Sequence, residues 1–322
     1  MRRFGPPEVL QIADLADPVP GPGQVLVAAS ASDVLFLDTM IRSGAGQGYF
    51  PIRPPYVPGN GVGGMVLAVG EAVSPRWLGQ RVVAHTAGAG GANGYAEFAV
   101  ADAEHAAVVP DDVDLRAATA VLHDGTTALG ILETGGIRPG EWVLVLGAAG
   151  GMGLLLVQLL ADQGANVVGA VRGPVKREAV ARAGARATVD YGEPEWAAAV
   201  LAATGGVRPG VVLDGVGGAI GTAAFALVAD GGRFSAHGSP SGSFASIDAD
   251  KARDRRVRVT TIRDLQYGPG DRSRLMEDVI GRLAEKRIAP VIGQTFALAD
   301  AAKAHEAMEA RRTVAKTLLL TD

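Results

Sequence analysis

The sequence predicts an α/β protein in two parts, a compact β-rich part followed by a doubly wound parallel sheet, with a short tail behind them. Three observations predict it. Residues 1–118 carry short β-branched runs broken by Gly and Pro, and residues 119–262 alternate strand-like with helix-like runs. Between residues 141 and 172 a strand, a glycine turn, a helix and a second strand follow one another without a gap.

In the first part, residues 24–28, 64–69 and 80–84 read as strands, with Pro-rich turns at 18–22 and 51–58. Their spacing suits a barrel-like domain. From Leu115 the pattern turns helical, through 116–122 and then 126–133. The apolar run 142–146 is the first strand of the second part, 154–161 continues as helix, Gln163-Gly164 is its C-cap, and 166–171 is the next strand. Helices at 176–183, 194–203 and 220–228 then alternate with strands at 187–190, 210–214 and 233–236. A last strand at 256–262 is expected at the sheet edge. The tail, 263–322, holds helices at 271–285 and 299–311 and a strand at 317–321; with no βα alternation left, it is expected to pack back on the first part.

The turn Gly147-Ala-Ala-Gly-Gly-Met-Gly153 has one residue more in its first step than G-x-G-x-x-G, so the surrounding βαβ unit is what gives it meaning. Small residues let a backbone approach a pyrophosphate closely, and a helix starting near Gly150 points unpaired N–H groups at that anion. A site that prefers NAD carries Asp or Glu at the end of the second strand, to bond the ribose 2′-hydroxyl. Here that end reads Val171-Arg172-Gly173-Pro174-Val175-Lys176-Arg177. Cations without an acid predict preference for NADPH, through Arg172 and Lys176.

Composition narrows the rest. The chain has 322 residues, 48% apolar and 20% charged, with a net charge of -4, which gives no broad cationic field for nucleic acid or anionic lipid. Without cysteine there is no disulfide, thiolate chemistry or cysteine-ligated zinc. No secretory segment opens the chain, and no run reaches the roughly 18 apolar residues that read as a membrane span. A cytoplasmic protein is the expectation. His85, His105, His123, His237 and His305 show no ligand spacing, so no metal site is predicted.

Several segments together resemble the medium-chain dehydrogenase/reductase superfamily, in its zinc-independent quinone oxidoreductase branch. They are Val34-Leu-Phe-Leu-Asp38 with Arg42-Ser-Gly44, Pro58-Gly-Asn-Gly-Val-Gly-Gly64, Asn93-Gly-Tyr-Ala-Glu97, the glycine turn, Val189-Asp-Tyr191, Val212-Leu-Asp-Gly-Val-Gly217 and the stretch from His305 to Lys316. The resemblance covers nearly the whole chain and implies a GroES-like β-barrel catalytic domain, a Rossmann domain and a cofactor held between them. Carried over position by position, it places Thr127 near the nicotinamide and Gly150, Gly151 and Met152 along the pyrophosphate. Arg172, Lys176 and Tyr191 fall at the 2′-phosphate and adenine, and Gly238 and Lys316 toward the cofactor. Ordinary structural roles compete for two of them, a core tyrosine at 191 and a helix N-terminal threonine at 127.

Three departures stand out. Relatives carry a short strand before the Arg3-to-Val9 segment, so one barrel edge is expected to be open. Leu35 replaces an Asn that places nicotinamide or substrate in relatives. Gly59-Asn60-Gly61 stands where zinc-dependent relatives have Gly-His-Glu.

Hydride transfer without a metal relies on positioning and on hydrogen bonds to a developing oxyanion, which suits acceptors that are already electrophilic. Reduction of a quinone is the first expectation, reduction of a conjugated alkene (enone or enoyl substrate) the second, and an NADPH-binding sensor the third. Tyr49 is the candidate proton donor or substrate wall. Asp38 and Arg42, four residues apart, are expected to form an ion pair that shapes the pocket. A homodimer through the edge strand is expected from the resemblance.

Overall fold

A computed structural model of the chain describes residues 1–46, 52–86, 93–265, 267 and 270–321. In chain order, β1 (Gln24–Val34), α1 (Phe36–Ser43), β2 (Gly61–Val69), β3 (Arg81–Thr86) and β4 (Phe98–Val108) lead to α2 (Leu115–Gly135). Then come β5 (Trp142–Leu146), α3 (Gly151–Asp162), β6 (Asn166–Val171), α4 (Pro174–Arg182), β7 (Ala187–Asp190) and α5 (Trp196–Ala203). β8 (Val211–Asp214), α6 (Gly218–Phe225), β9 (Arg233–Ala236), α7 (Ala249–Asp254) and β10 (Arg258–Thr261) complete the alternation. The tail holds α8 (Asp271–Ala284), β11 (Ile292–Ala297), α9 (Ala301–Glu309) and β12 (Lys316–Leu320). Two compact units result, Met1–Thr126 with Gly268–Asp322, and Thr127–Tyr267.

The first unit is built on β1. Its sheet runs β11-β12-β1-β2-β3-β4, and β1 also pairs with β4, which closes β1 to β4 into a ring. On the other side of β12, β11 ends the sheet among the described residues. Burial alternates along the first half of β1, so Val25, Val27 and Ala29 face a core shared with Val62, Val66, Val82, Ala84, Ala99 and Ala101. Register shifts between Leu26 and Val27 and between Ala29 and Ala31 bend the strand around that core. Opposite the second shift β2 carries Gly63-Gly64, and a Cβ on Gly64 would collide with the Ala28 carbonyl.

The tail from Gly268 belongs to this unit. β12 lies antiparallel to β1, with Ala31 opposite Leu320, and β11 lies parallel to β12. Neither β4 nor β11 was legible as a strand, and α2 is one helix where two were expected. Gly125, inside the helix, is a packing site, since a Cβ there would come within 2.5 Å of Val279 Cγ2 on α8. The units divide inside this helix, between Thr126 and Thr127, because it runs on past the boundary expected at 118.

The second unit is a parallel sheet in the order β10-β9-β8-β5-β6-β7. β5, β6 and β8 are buried along almost their whole length, as strands covered on both faces must be. Leu144, Leu146, Val168, Ala170, Val212 and Phe234 share one core. Strand order reverses at β5, which pairs with β6 on one side and β8 on the other. In open α/β sheets the ligand crevice lies at the carboxyl ends of the strands at such a switch point.

Candidate functional site

The glycine turn leaves the carboxyl end of β5. Gly147 has φ +69°, the left-handed region where a side chain is costly. Gly150 caps α3 with extended backbone and no side-chain bond, and the first intrahelical bond runs from the Leu154 N–H to the Gly150 carbonyl at 3.0 Å. The amides of Gly151, Met152 and Gly153 come before it and have no intrahelical acceptor. A Cβ on Gly153 would collide with the Gly147 carbonyl oxygen, so the turn closes this tightly only around glycine. Bare amides on a helix N-terminus, with no side chain in the way, fit a pyrophosphate.

Beside it, at the ends of β6 and β7, the Arg172 guanidinium lies over the Tyr191 ring, 5.7 Å from its centroid. Lys176 stands in the first turn of α4, and Arg177 is turned away to Thr188, donating to its hydroxyl and carbonyl at 3.4 Å. An acid is nearby after all. Asp190 ends β7, but its carboxylate accepts the amides of Gly173 and Gly192, both at 2.8 Å.

At the ends of β8 and β9, the amides of His237 and Gly238 both donate to the Asp214 carbonyl at 3.0 Å. A Cβ on Gly238 would collide with the Gly215 carbonyl, so glycine is required there by packing. The Asp214 carboxylate accepts the Val216 and Gly217 amides at 2.9 Å, and burial raises its pKa. Burial pushes His237 down to about 4, so its imidazole is neutral. Thr127, expected to open a helix, lies in the middle of α2 and is half-buried.

The first unit holds a second polar cluster. Asp38, on α1, accepts the Leu35 amide at 2.8 Å and the Tyr95 hydroxyl at 3.1 Å, and the same hydroxyl meets His305 Nε2 at 2.9 Å. Burial, with the charge of Asp33, raises Asp38 to about 7 against the bonds from Leu35 and Tyr95. Burial and the charge of Arg42 push His305 down to about 3. The expected Asp38–Arg42 pair does not form. Arg42 is bound to Glu309 of α9, while Asp38 turns back to the amide that opens its own helix.

Lys316 opens β12, in the first unit. It is 3% exposed, and its ammonium is shared by Asp33 at 3.2 Å and Asp124 at 3.0 Å. Burial alone would lower its pKa, but the two carboxylates outweigh that and raise it. A lysine so committed ties β12 to β1 and α2. Tyr49 lies outside the described residues. Among the described residues no three His, Cys, Asp or Glu side chains are grouped to hold a metal ion.

The family models that match this chain are an alcohol dehydrogenase GroES-like domain over residues 21–111 and a zinc-binding dehydrogenase over residues 183–319. The chain is 33% identical to a quinone oxidoreductase of Pseudomonas aeruginosa over 98% of its own length and 97% of that protein's. It belongs to the medium-chain dehydrogenase/reductase superfamily, in its quinone oxidoreductase branch. A 2-haloacrylate reductase of a Burkholderia species is 30% identical, covering 94% of this chain and 92% of that one. Among solved structures, an Escherichia coli quinone oxidoreductase complexed with NADPH superposes with a TM-score of 0.91 at 28% identity, over 99% of this chain and 98% of that one.

In this medium-chain oxidoreductase the glycine turn, Arg172 and Tyr191 lie within one unit. Sequence spacing does not connect Tyr95 with His305, which are 210 positions apart, nor Lys316 with Asp33, 283 apart. Side chains that meet only through the fold leave no spacing to read. Asp190 had a signal, an acid ending a strand beside the candidate 2′-phosphate site.

Proposed function

We propose that this oxidoreductase uses NADPH to reduce a quinone without zinc. The observation that carries the cofactor choice is the Arg172 guanidinium over Tyr191, at the strand end where an acid would select NAD. When bound, NADPH supplies the hydride. The chain's part is to hold and orient: the amides of Gly151 and Met152, behind the Gly150 cap, meet the pyrophosphate, Arg172 and Lys176 take the 2′-phosphate, and Tyr191 borders the adenine. Thr127 and Gly238 serve the nicotinamide end. Tyr49 is the proposed proton donor or substrate wall, while Asp38 and Arg42 act from behind, through Tyr95 and Glu309.

The absence of cysteine and the Gly59-Asn60-Gly61 sequence support zinc independence. The name of the Burkholderia relative favours a second reading, since an acrylate is a conjugated alkene acid and accepts hydride at carbon just as a quinone accepts it. The test is NADPH oxidation by purified protein with a simple benzoquinone and a conjugated alkene acid run side by side. Faster turnover of the quinone is expected; faster turnover of the alkene makes this a C=C reductase.

A further inference from the structure

We infer that Asp190 is a positioning residue that sets how Arg172 and Tyr191 present themselves to the 2′-phosphate, and thereby sets the preference for NADPH. The inference rests on the cofactor reading above and deepens it. Asp190 acts on the backbone that carries Arg172 and Tyr191. Its Oδ2 accepts the Gly173 amide and its Oδ1 the Gly192 amide, each at 2.8 Å. Gly173 directly follows Arg172, and Gly192 directly follows Tyr191. One carboxylate therefore fixes both turns that bear the platform, with the Tyr191 amide adding a bond to the Val171 carbonyl at 2.9 Å.

Packing makes the same connection. A Cβ on Gly192 would come within 2.9 Å of Asp190 Oδ1 and 3.4 Å of Arg172 Cγ, so carboxylate, turn backbone and arginine stem are in close contact. Gly173, at φ +86°, is the N-cap of α4, so the bond to Asp190 also fixes the start of the helix that carries Lys176. The chemistry is specific to a carboxylate. An acid near this strand end could bond the ribose 2′-hydroxyl and repel a 2′-phosphate. Here both oxygens are used on backbone N–H groups in charge-assisted bonds, which turns a residue that could select against phosphate into the support of the cation that binds it. Asparagine cannot copy this, because one of the two amides would then face an NH₂ group.

The test uses calorimetric titration of the full chain with 2′,5′-ADP and with 5′-AMP, ligands that differ by the 2′-phosphate alone. Asp190→Asn is expected to weaken 2′,5′-ADP about tenfold and 5′-AMP by less than about twofold, the size expected when a charge-assisted bond is lost. In turnover the same variant should raise KM for NADPH rather than KM for NADH. Gly192→Ala, whose backbone is not in the left-handed region, should shift the same ratio by crowding Asp190 and Arg172, and it decides the matter if Asp190→Asn does not fold. Arg172→Ala separates the two levels of the argument. If it leaves the 2′,5′-ADP to 5′-AMP ratio unchanged, the cofactor reading fails; if it lowers the ratio while Asp190→Asn and Gly192→Ala do not, or weaken both ligands equally, the positioning role is overturned.

Discussion

At Asp38 a carboxylate buried in the first unit keeps its proton to about 7, against an ordinary 3.8. The unfolded chain gives that proton up at the ordinary value, so between 3.8 and about 7 the unfolded state binds fewer protons and stability falls as pH rises. Asp38→Asn removes the ionisation yet keeps an oxygen for Leu35 and Tyr95. Its stability relative to the native chain should grow across that window by on the order of 4 kcal/mol at most, read from urea midpoints at both ends. A difference that does not change with pH would overturn the assignment. His237 and His305 act with the opposite sign. Their folded values of about 4 and about 3 lie below the ordinary 6.5, so their contribution is complete above 6.5 and is lost as pH falls toward those values. None of this was legible in the sequence: Asp38 and Arg42 at i, i+4 looked like partners, but Glu309 and Tyr95, brought in by other elements, took one each.

Elements were easiest to read where both faces are covered. β5 and β6 coincide with the strands expected at 142–146 and 166–171, since nearly continuous apolar runs between turn signals leave few other readings. β4 and β11 stayed hidden because their residues do not look like core. β4 is rich in Ala with Asp102, Glu104 and His105 in it, and β11 alternates half-buried with exposed positions. The glycine turn was legible as a motif, and the structure adds which glycine is indispensable. Gly153→Ala raises helix propensity by about 1 kcal/mol, yet its Cβ would collide with the Gly147 carbonyl, so the turn must open. The variant is expected to stay folded and to weaken NADPH by at least about tenfold in a fluorescence titration, as loss of an anion cradle requires. Unchanged affinity would remove the turn from the binding site.

For the whole molecule, the edge strand β10 carries the proposed dimer. The Arg258 amide bonds inward to Gly232, and by strand alternation the Val259 amide points out from the sheet, while the Thr261 amide is already used by Asp264 at 2.6 Å. Pairing across a two-fold axis should give a solution-scattering mass of twice 32.8 kDa. Val259→Pro removes the outward donor and should halve that mass, as an edge position tolerates proline otherwise. A monomeric mass for the native chain refutes the dimer.

The pairing of β12 with β1 has a consequence for how the chain is made. Ala31 and Leu320 are partners in one ladder, and the whole second unit is translated between them. The Rossmann sheet draws all six of its strands from one uninterrupted stretch and can form while synthesis continues, whereas the barrel domain must wait for the last residues to leave the ribosome before its sheet is complete. During that interval β1 presents an uncovered flank, and a chaperone that shields it acts on the oldest part of the nascent chain, not the newest.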